Sequence, residues 1–411
     1  GLHCRSMDDS AGSPAERPPL LHRAKRFLFG KPRDLGDRSL FKHLSLLPFL
    51  AWVGLGADGL SSSSYGPMEA FLTLKEHTYL AFGLAACSSA PVKTTPELLS
   101  PQTPLIWPSP PEPAKISYVT VIKKPEDIGA NKGFFKKIAE FVLGAASDDI
   151  IKPYGITADS TGRLIVTDTS FKRVHLYDLK KKEYSFIDKP GKEEFSTPIA
   201  SATDSENRVF VTDSTAGKVF VFSPRGKFIK SFEAGVRPTG IAINKSAKLV
   251  YVSDTGSHVV NMFDLDGKPA GSFGKLGVLE GEFNYPVDIS IDREGMVYVV
   301  DSMNFRVQIF NKDGRFNHSF GSHGDGTGDF GRPKGISIDR DGHIYVADAY
   351  FDTVQIFDRQ GNFLLNFGSL GRSAGKFWLP SGLFVDDGNK IYVGDSYNSR
   401  VQVFEYLGEG S

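Results

Sequence analysis

Between Pro153 and the C-terminus, short apolar bursts separated by turn-forming residues recur six times in one order. In the copy RPKGISIDRDGHIYVADAYFDTVQIFDRQGNFLLNFG, Ile336 and Ile338 alternate with polar neighbours and predict a first strand. Arg340, Asp341 and Gly342 predict a tight turn, Ile344 to Val346 a second strand, and Val354, Ile356 and Phe357 a third. Gly361 turns the chain into a fourth, Phe363 to Phe367. Elsewhere the second strand reads VYVVD, IYVGD, VFVTD, LIVTD or VYVSD, and the third VQIF, VQVF, VFVF, VHLY or VVNMF. The aspartates closing the second strands are Asp168, Asp213, Asp254, Asp301, Asp348 and Asp395, spaced by 45, 41, 47, 47 and 47 residues. That period is the one expected of four-stranded propeller blades. Sheets this small cannot bury both faces alone, so neighbours must stack and the row must close. The expected fold is all-β, a six-bladed β-propeller of four-stranded blades preceded by a non-propeller N-terminal segment.

The sixth copy ends on its third strand, RVQVFEY, at Tyr406, one strand short. The period-two run KISYVTVIKK, Lys115 to Lys124, is predicted to supply the missing strand and close the ring. Between it and the repeats, Phe134, Ile138, Phe141 and Val142 share one face at helical spacing, predicting a short helix over Gly133 to Gly144 packed on the propeller.

Composition constrains what lies outside the repeats. Lys plus Arg equals Asp plus Glu at 48 each, so no overall positive field favours nucleic acid, and no nucleic-acid partner is expected. The two cysteines, Cys4 and Cys87, both precede the repeats, so neither a disulfide framework nor a cysteine-based zinc site supports them. Residues 1–86 form a separate segment, partly polar and disordered in character and partly hydrophobic. Its run Leu44 to Leu60 has 17 residues interrupted by Pro48, three glycines and Asp58, at the short limit for a membrane span. The stretch RFLFGKPRDLGDRSLFKHLSLLPFLAWVGLGADGLSSSSYGP, within residues 24–83, resembles the start of bacterial amino-acid permease-type transporters; no further hydrophobic spans follow to complete a transporter. LAFGLAAC, ending in Leu84, Ala85, Ala86 and Cys87, resembles the lipobox of bacterial lipoproteins, which implies acylation of Cys87. Residues 87–114 carry eight prolines after Ser88 and read as an extended tether. Residues 115–411 are the propeller. The resemblance implies an envelope protein, periplasmic or anchored in the outer membrane through a lipid or the N-terminal hydrophobic segment.

The register of the repeats, a proline-glycine opening strand, a Y-V-A-D-like second strand and an R-V-Q-V-F-like third, resembles the NHL-repeat family across Pro153 to Phe404. Blade three departs from it: the stretch Asp254 to Val259 reads as one residue short, with His258 in place of the usual arginine or lysine, so its loop is expected to sit differently. The recurrent aspartates read as turn residues accepting backbone hydrogen bonds. The loops G-x-x-G-x-x-x-G-x-F ending at Phe283, Phe330 and Phe377 read as crossings between blades, each phenylalanine wedged at a blade interface, since a phosphate loop would occur once and before a helix.

In a propeller the mouth of the central channel is the expected place for a ligand. The residue after each leading proline is Tyr154, Ile199, Thr239, Val287, Lys334 or Ser381. Candidate rim residues are Tyr154, Thr239, Asp288, Lys334 and Ser381; Asp288 stands where four siblings have glycine, beside Lys334 of the next blade, with a solvated ion pair as the plain reading of the two. A second candidate surface is the cationic column Arg173, Lys218, Arg306 and Arg400, whose plain reading is bonding to loop carbonyls. Some NHL-type propellers are enzymes, amidating lyases with channel histidines on a metal and lactonase-like hydrolases with channel carboxylates on a divalent cation. Here His175, His258, His318, His323 and His343 fall in different columns, so no metal ligand set, cofactor or catalytic residue is expected. The reading is a non-catalytic scaffold for a protein or peptide partner, with a metal-dependent propeller hydrolase or lyase as the alternative.

Overall fold

The computed structural model describes residues 104–130 and 148–408. The permease-like segment, Cys87 and the stretch Gly133 to Gly144 lie outside the described residues. Chain contacts divide the protein into Gly1–Thr95 and Pro96–Ser411, and only the second unit is described below.

Two strands precede the repeats, β1 (Ile106–Trp107) and β2 (Ile116–Ile122). Blade one comprises β3 (Pro153–Ala158), β4 (Arg163–Asp168), β5 (Arg173–Asp178) and β6 (Glu183–Ile187). Blade two holds β7 (Pro198–Thr203) to β10 (Phe228–Glu233), and blade three β11 (Pro238–Asn244) to β14 (Pro269–Phe273). Blades four and five run from β15 (Pro286–Ile291) to β18 (Phe316–Phe320) and from β19 (Pro333–Ile338) to β22 (Phe363–Phe367). Blade six has β23 (Pro380–Val385), β24 (Lys390–Asp395) and β25 (Arg400–Tyr406), and takes β2 and β1 as its outer strands. The six antiparallel sheets form a ring, and no α-helix occurs among the described residues. The expected closure is present: β2 pairs with β25, Ile116 opposite Tyr406 and Ile122 opposite Val401. The short β1, drawn from the proline-rich run, adds a fifth strand, with Ile106 opposite Ser117.

The core explains why the second strands lack polar alternation. Val297 and Val299 pack in a cluster with Tyr251 and Val260 of blade three, whereas Tyr298 and Val300 pack with Ile344 and Val346 of blade five. A strand buried on both faces reads as an unbroken apolar run. Six such clusters fill the spaces between successive blades, and the one between blades six and one includes Ile122 of the closing strand. Phe283, Phe330 and Phe377 are fully buried, each in an inter-blade cluster, as expected of the glycine-rich crossings.

Blade three does not depart as expected. Asp254 pairs with Val259 as Asp301 pairs with Arg306, so its turn has the length of its siblings, and Val259 holds the arginine position. His258 instead occupies the corner before the third strand, where Lys172, Gly217, Phe305, Asp352 and Ser399 also have left-handed φ, between 51° and 70°. Aligning His258 with the cations displaced that column by one residue.

Candidate functional site

The buried carboxylates organise one end of each blade. Asp348 accepts hydrogen bonds from the amides of Gly331, Arg332 and Tyr350 at 2.8 to 2.9 Å, tying the chain ahead of the inner strand to the turn that follows the second. Asp213 and Asp254 do the same through Ser196 and Thr197, and through Val236 and Arg237. The hydroxyl after the aspartate then reaches the next blade: Thr255 Oγ1 donates to Pro286 O, Ser302 Oγ to Pro333 O and Ser396 Oγ to Pro153 O. These groups are engaged in the ring's own bonding.

The cationic column has a similar position. Arg400, 1 % exposed, donates to Asp395 at 2.7 Å and to the carbonyls of Ser373 and Lys376. Arg306 makes the equivalent bonds to Asp301, Leu279 and Glu282. Lys218 pairs with Glu193 at 3.2 Å, and buried Arg173 lies over the rings of Phe171 and Phe186. The column therefore anchors loops to blades and does not ring the channel. Its blade-one neighbour His175 sits where blades four to six have glutamine; its Nε2 is 3.5 Å from Asp168, as Gln308 and Gln402 approach Asp301 and Asp395.

Around the channel, the position two after each leading proline sets the width. Gly155, Gly240, Gly335 and Gly382 occur there because a Cβ would stand 2.0 to 2.6 Å from backbone atoms of the next blade's inner strand. Blade four carries Asp288 instead, and its Oδ2 accepts the Ile336 amide of blade five at 3.1 Å. Burial pushes this carboxyl up to about 7 against the lowering by that bond. Asp288 lines a cavity of about 750 Å³ that runs along the inner strands to their turns, where Asp292, Asp339 and Asp386 take part in its lining. Those three carboxylates accept the hydroxyls of Tyr298, Tyr345 and Tyr392.

The opposite end, where the inner strands begin, is here termed the proline face. Tyr154 and Lys334 stand there outside the cavity lining, with the Lys334 ammonium 5.4 Å from the Tyr154 ring centre. Burial raises the Tyr154 hydroxyl's pKa, as does Asp288, while Arg332, Arg237 and Lys152 lower it, which puts all four charged groups within electrostatic reach of that hydroxyl. Lys334 is pushed down to about 8, first by burial and then by Arg332, with Tyr397 opposing and Lys152 adding to the shift. No ion pair joins Asp288 and Lys334, contrary to the plain reading: they occupy successive register positions, and the carboxylate turns to the Ile336 amide. Of the other rim candidates, Thr239 is bonded to Thr255 and Ser253, and Ser381 is buried against the carbonyls of Pro153 and Tyr154.

The rim candidates thus reduce to Tyr154, Asp288 and Lys334, joined by three cations that sequence reasoning missed. Lys152, Arg237 and Arg332 each precede the leading proline of blades one, three and five. The signal was an alternation in the column before the proline.

Among the described residues no three His, Cys, Asp or Glu side chains form a group able to hold a metal ion, and no helix is long and apolar enough to cross a membrane. The channel position of Asp288 is matched by glycine or Ala200 in every other blade, so that column offers a metal one carboxylate.

Comparison with known proteins agrees with the architecture. A family described as 6-bladed beta-propeller matches residues 283–350, and the NHL repeat matches residues 377–404. No curated protein matches the sequence. Among solved structures, an auxiliary nutrient binding protein from Bacteroides thetaiotaomicron VPI-5482 is 13 % identical, covering 64 % of this chain and 71 % of its own, with a TM-score of 0.52. A structural genomics protein of unknown function from the same organism is 15 % identical, with 71 % and 75 % covered and a TM-score of 0.52. Virginiamycin B lyase from Staphylococcus aureus is 14 % identical, with 62 % and 95 % covered and a TM-score of 0.47. At these identities the likeness concerns the fold. Repeat register, closure and the family matches identify a six-bladed β-propeller, of which residues 377–404 match the NHL repeat.

Proposed function

We propose that the protein is a binding module of the bacterial cell envelope that presents its proline face to a protein or peptide partner. The observation that carries this reading is the composition of that face. Strand register puts the chain ahead of each inner strand and the turn after each second strand at the same end. There Val236, Tyr285, Met303 and Tyr350 are exposed, Val236 by 74 % and Tyr350 by 62 %, around a mouth bearing four cations. Exposed apolar groups around a polar centre suit macromolecular recognition. The test is a photo-crosslinking amino acid placed at Tyr350 or Val236 in cells, with Leu364 on an outer strand as the control position. Discrete adducts from the first two only are expected; equal adducts from Leu364, or none from the proline face, would refute the reading.

The envelope assignment rests on the lipobox-like Leu84 to Cys87 and the prolines after it. Intact mass of the native protein is expected to show a chain beginning at acylated Cys87, and a mature chain retaining Trp52 would overturn that. One observation favours the alternative, a propeller hydrolase or lyase: a carboxyl with a pKa of about 7 facing a cavity suits general acid–base catalysis. Bound divalent metal in stoichiometric amount, with turnover of a lactone or ester abolished by Asp288→Asn, would favour it.

A further inference from the structure

The proline-face mouth is positive by construction. The residue before the leading proline is cationic in alternate blades, Lys152 in blade one, Arg237 in blade three and Arg332 in blade five, so the ring's geometry distributes three cations around one axis. All three are exposed, and all three act on the hydroxyl of Tyr154. Lys334 lies over the Tyr154 ring, and Lys152 lies 5.2 Å from the ring centre of Tyr397. Tyr397 in turn packs at a tilt of 38° against Trp378, over which Arg372 sits at 5.0 Å. Among the described residues, no carboxylate forms an ion pair with Lys152, Arg237, Arg332 or Lys334. The nearby carboxyls are bonded to backbone amides: Asp288 to that of Ile336, and the buried Asp168, Asp254 and Asp348 to those of Lys152, Arg237 and Arg332.

Four cationic side chains around one opening, none of them ion-paired to a described carboxylate, repel one another, and an anion brought among them gains from all four. Around the cations the surface is apolar: Val236, Tyr285, Met303 and Tyr350 stand on the same face. A small inorganic anion would leave those groups in water. A polynucleotide needs a basic track along its backbone, and four cations around one opening with Arg372 over Trp378 do not form one. An acidic peptide satisfies both features.

Resting on the binding-module reading above, we propose that the mouth receives one aspartate or glutamate side chain of an extended peptide, its carboxylate held among Lys152, Arg237, Arg332 and Lys334 above the Tyr154 ring, its apolar neighbours covering Val236, Tyr285 and Tyr350.

The experiment pans a phage-displayed library of random linear peptides on the full chain, then measures the enriched peptides by fluorescence anisotropy. Enriched sequences are expected to carry one acidic residue between apolar ones. Exchanging that residue for its amide, or introducing Lys152→Glu with Arg332→Glu, is expected to weaken binding about tenfold or more, the scale of a desolvated charge contact. Arg293→Glu, at the other end of the channel, should bind as the unmodified protein does. Both mouth positions are exposed, and thermal melts check that the variants fold. The inference is overturned if the amide exchange or the double reversal leaves affinity unchanged. It is equally overturned if inorganic phosphate at millimolar level displaces the peptide completely, marking a small-anion site, or if single-stranded oligouridylate binds more tightly. Enriched peptides without an acidic residue would sink this inference and leave the binding-module reading standing. Enrichment of no peptide would sink both.

Discussion

Replacing Asp288 with asparagine is expected to stabilise the protein above neutral pH and to do nothing at about pH 3, where the carboxyl is protonated folded or unfolded. The carboxyl's folded pKa is about 7 against an ordinary value of 3.8, with burial as the leading cause. An acid with a raised folded pKa binds its proton more tightly in the folded state, so stability falls as pH climbs from about 4 to about 7 and stays reduced above that. A rise of about three units at about 1.4 kcal/mol each sets a ceiling near 4 kcal/mol. Asp288 is only half-buried and lines a cavity that admits water, so about half of that ceiling, roughly 2 kcal/mol, is the better figure. Asparagine keeps an oxygen to accept the Ile336 amide, so the bond between blades four and five survives the exchange. At about 2 °C or more per kcal/mol, Asp288→Asn should melt about 4 °C higher than the unmodified protein at about pH 8 and at the same temperature at about pH 3, below the unfolded pKa. Scanning calorimetry across that range measures both. An equal difference at the two pH values, or a lower Tm for the variant at pH 8, would refute the linkage argument.

Lys334→Met should likewise stabilise at pH 7, by up to about 3 kcal/mol from a fall of 10.5 to about 8, with the gain vanishing as pH rises through 10.5; denaturant melts at pH 7 and 10.5 check it. Arg400→Ala leaves Asp395 buried without its cation and should lower stability by about 3–5 kcal/mol in urea unfolding. Gly335→Ala would place a Cβ 2.2 Å from Ser381 O, and a Tm drop corresponding to about 1–3 kcal/mol is expected, since the obstacle is backbone. Removing β1 and β2 bares the edge of β25, so the shortened chain should melt lower and associate, read by light scattering against the full chain.

Much of this ring was legible because each column is sampled six times. The aspartate of the second strand, the glycine two past the proline and the phenylalanine of the crossing loops repeat, and repetition of a polar group argues for bonding common to every blade. Legibility failed where register was inferred from residue type. His258 and arginine are both basic, which favours aligning them, yet strand pairing gives His258 the left-handed corner and gives Val259 the arginine's place. The ion pair of Asp288 and Lys334 failed for a related reason: adjacency of columns does not fix which neighbour a side chain meets, and a free backbone amide lay nearer.

The cations of the mouth show a different limit. Lys152, Arg237 and Arg332 lie just outside the strands, in a column that alternates with Thr197, Tyr285 and Leu379, so no blade-to-blade identity draws attention to them. Only the ring converts alternate blades into a set facing one axis. Two of them act on Lys334, whose ammonium is disfavoured first by burial and then by Arg332 and Lys152. A fold selected for stability alone would place glycine at 288 and a neutral residue at 334, as the same columns do elsewhere in this chain. Both exceptions are expected to lower stability near neutral pH, and both occur at the channel, Asp288 acting on the Tyr154 hydroxyl and Lys334 lying over its ring. Departures from a repeat that are expected to cost stability, and that lie near Tyr154, are what the proposed binding role of this opening requires, since folding alone gives them no reason to persist.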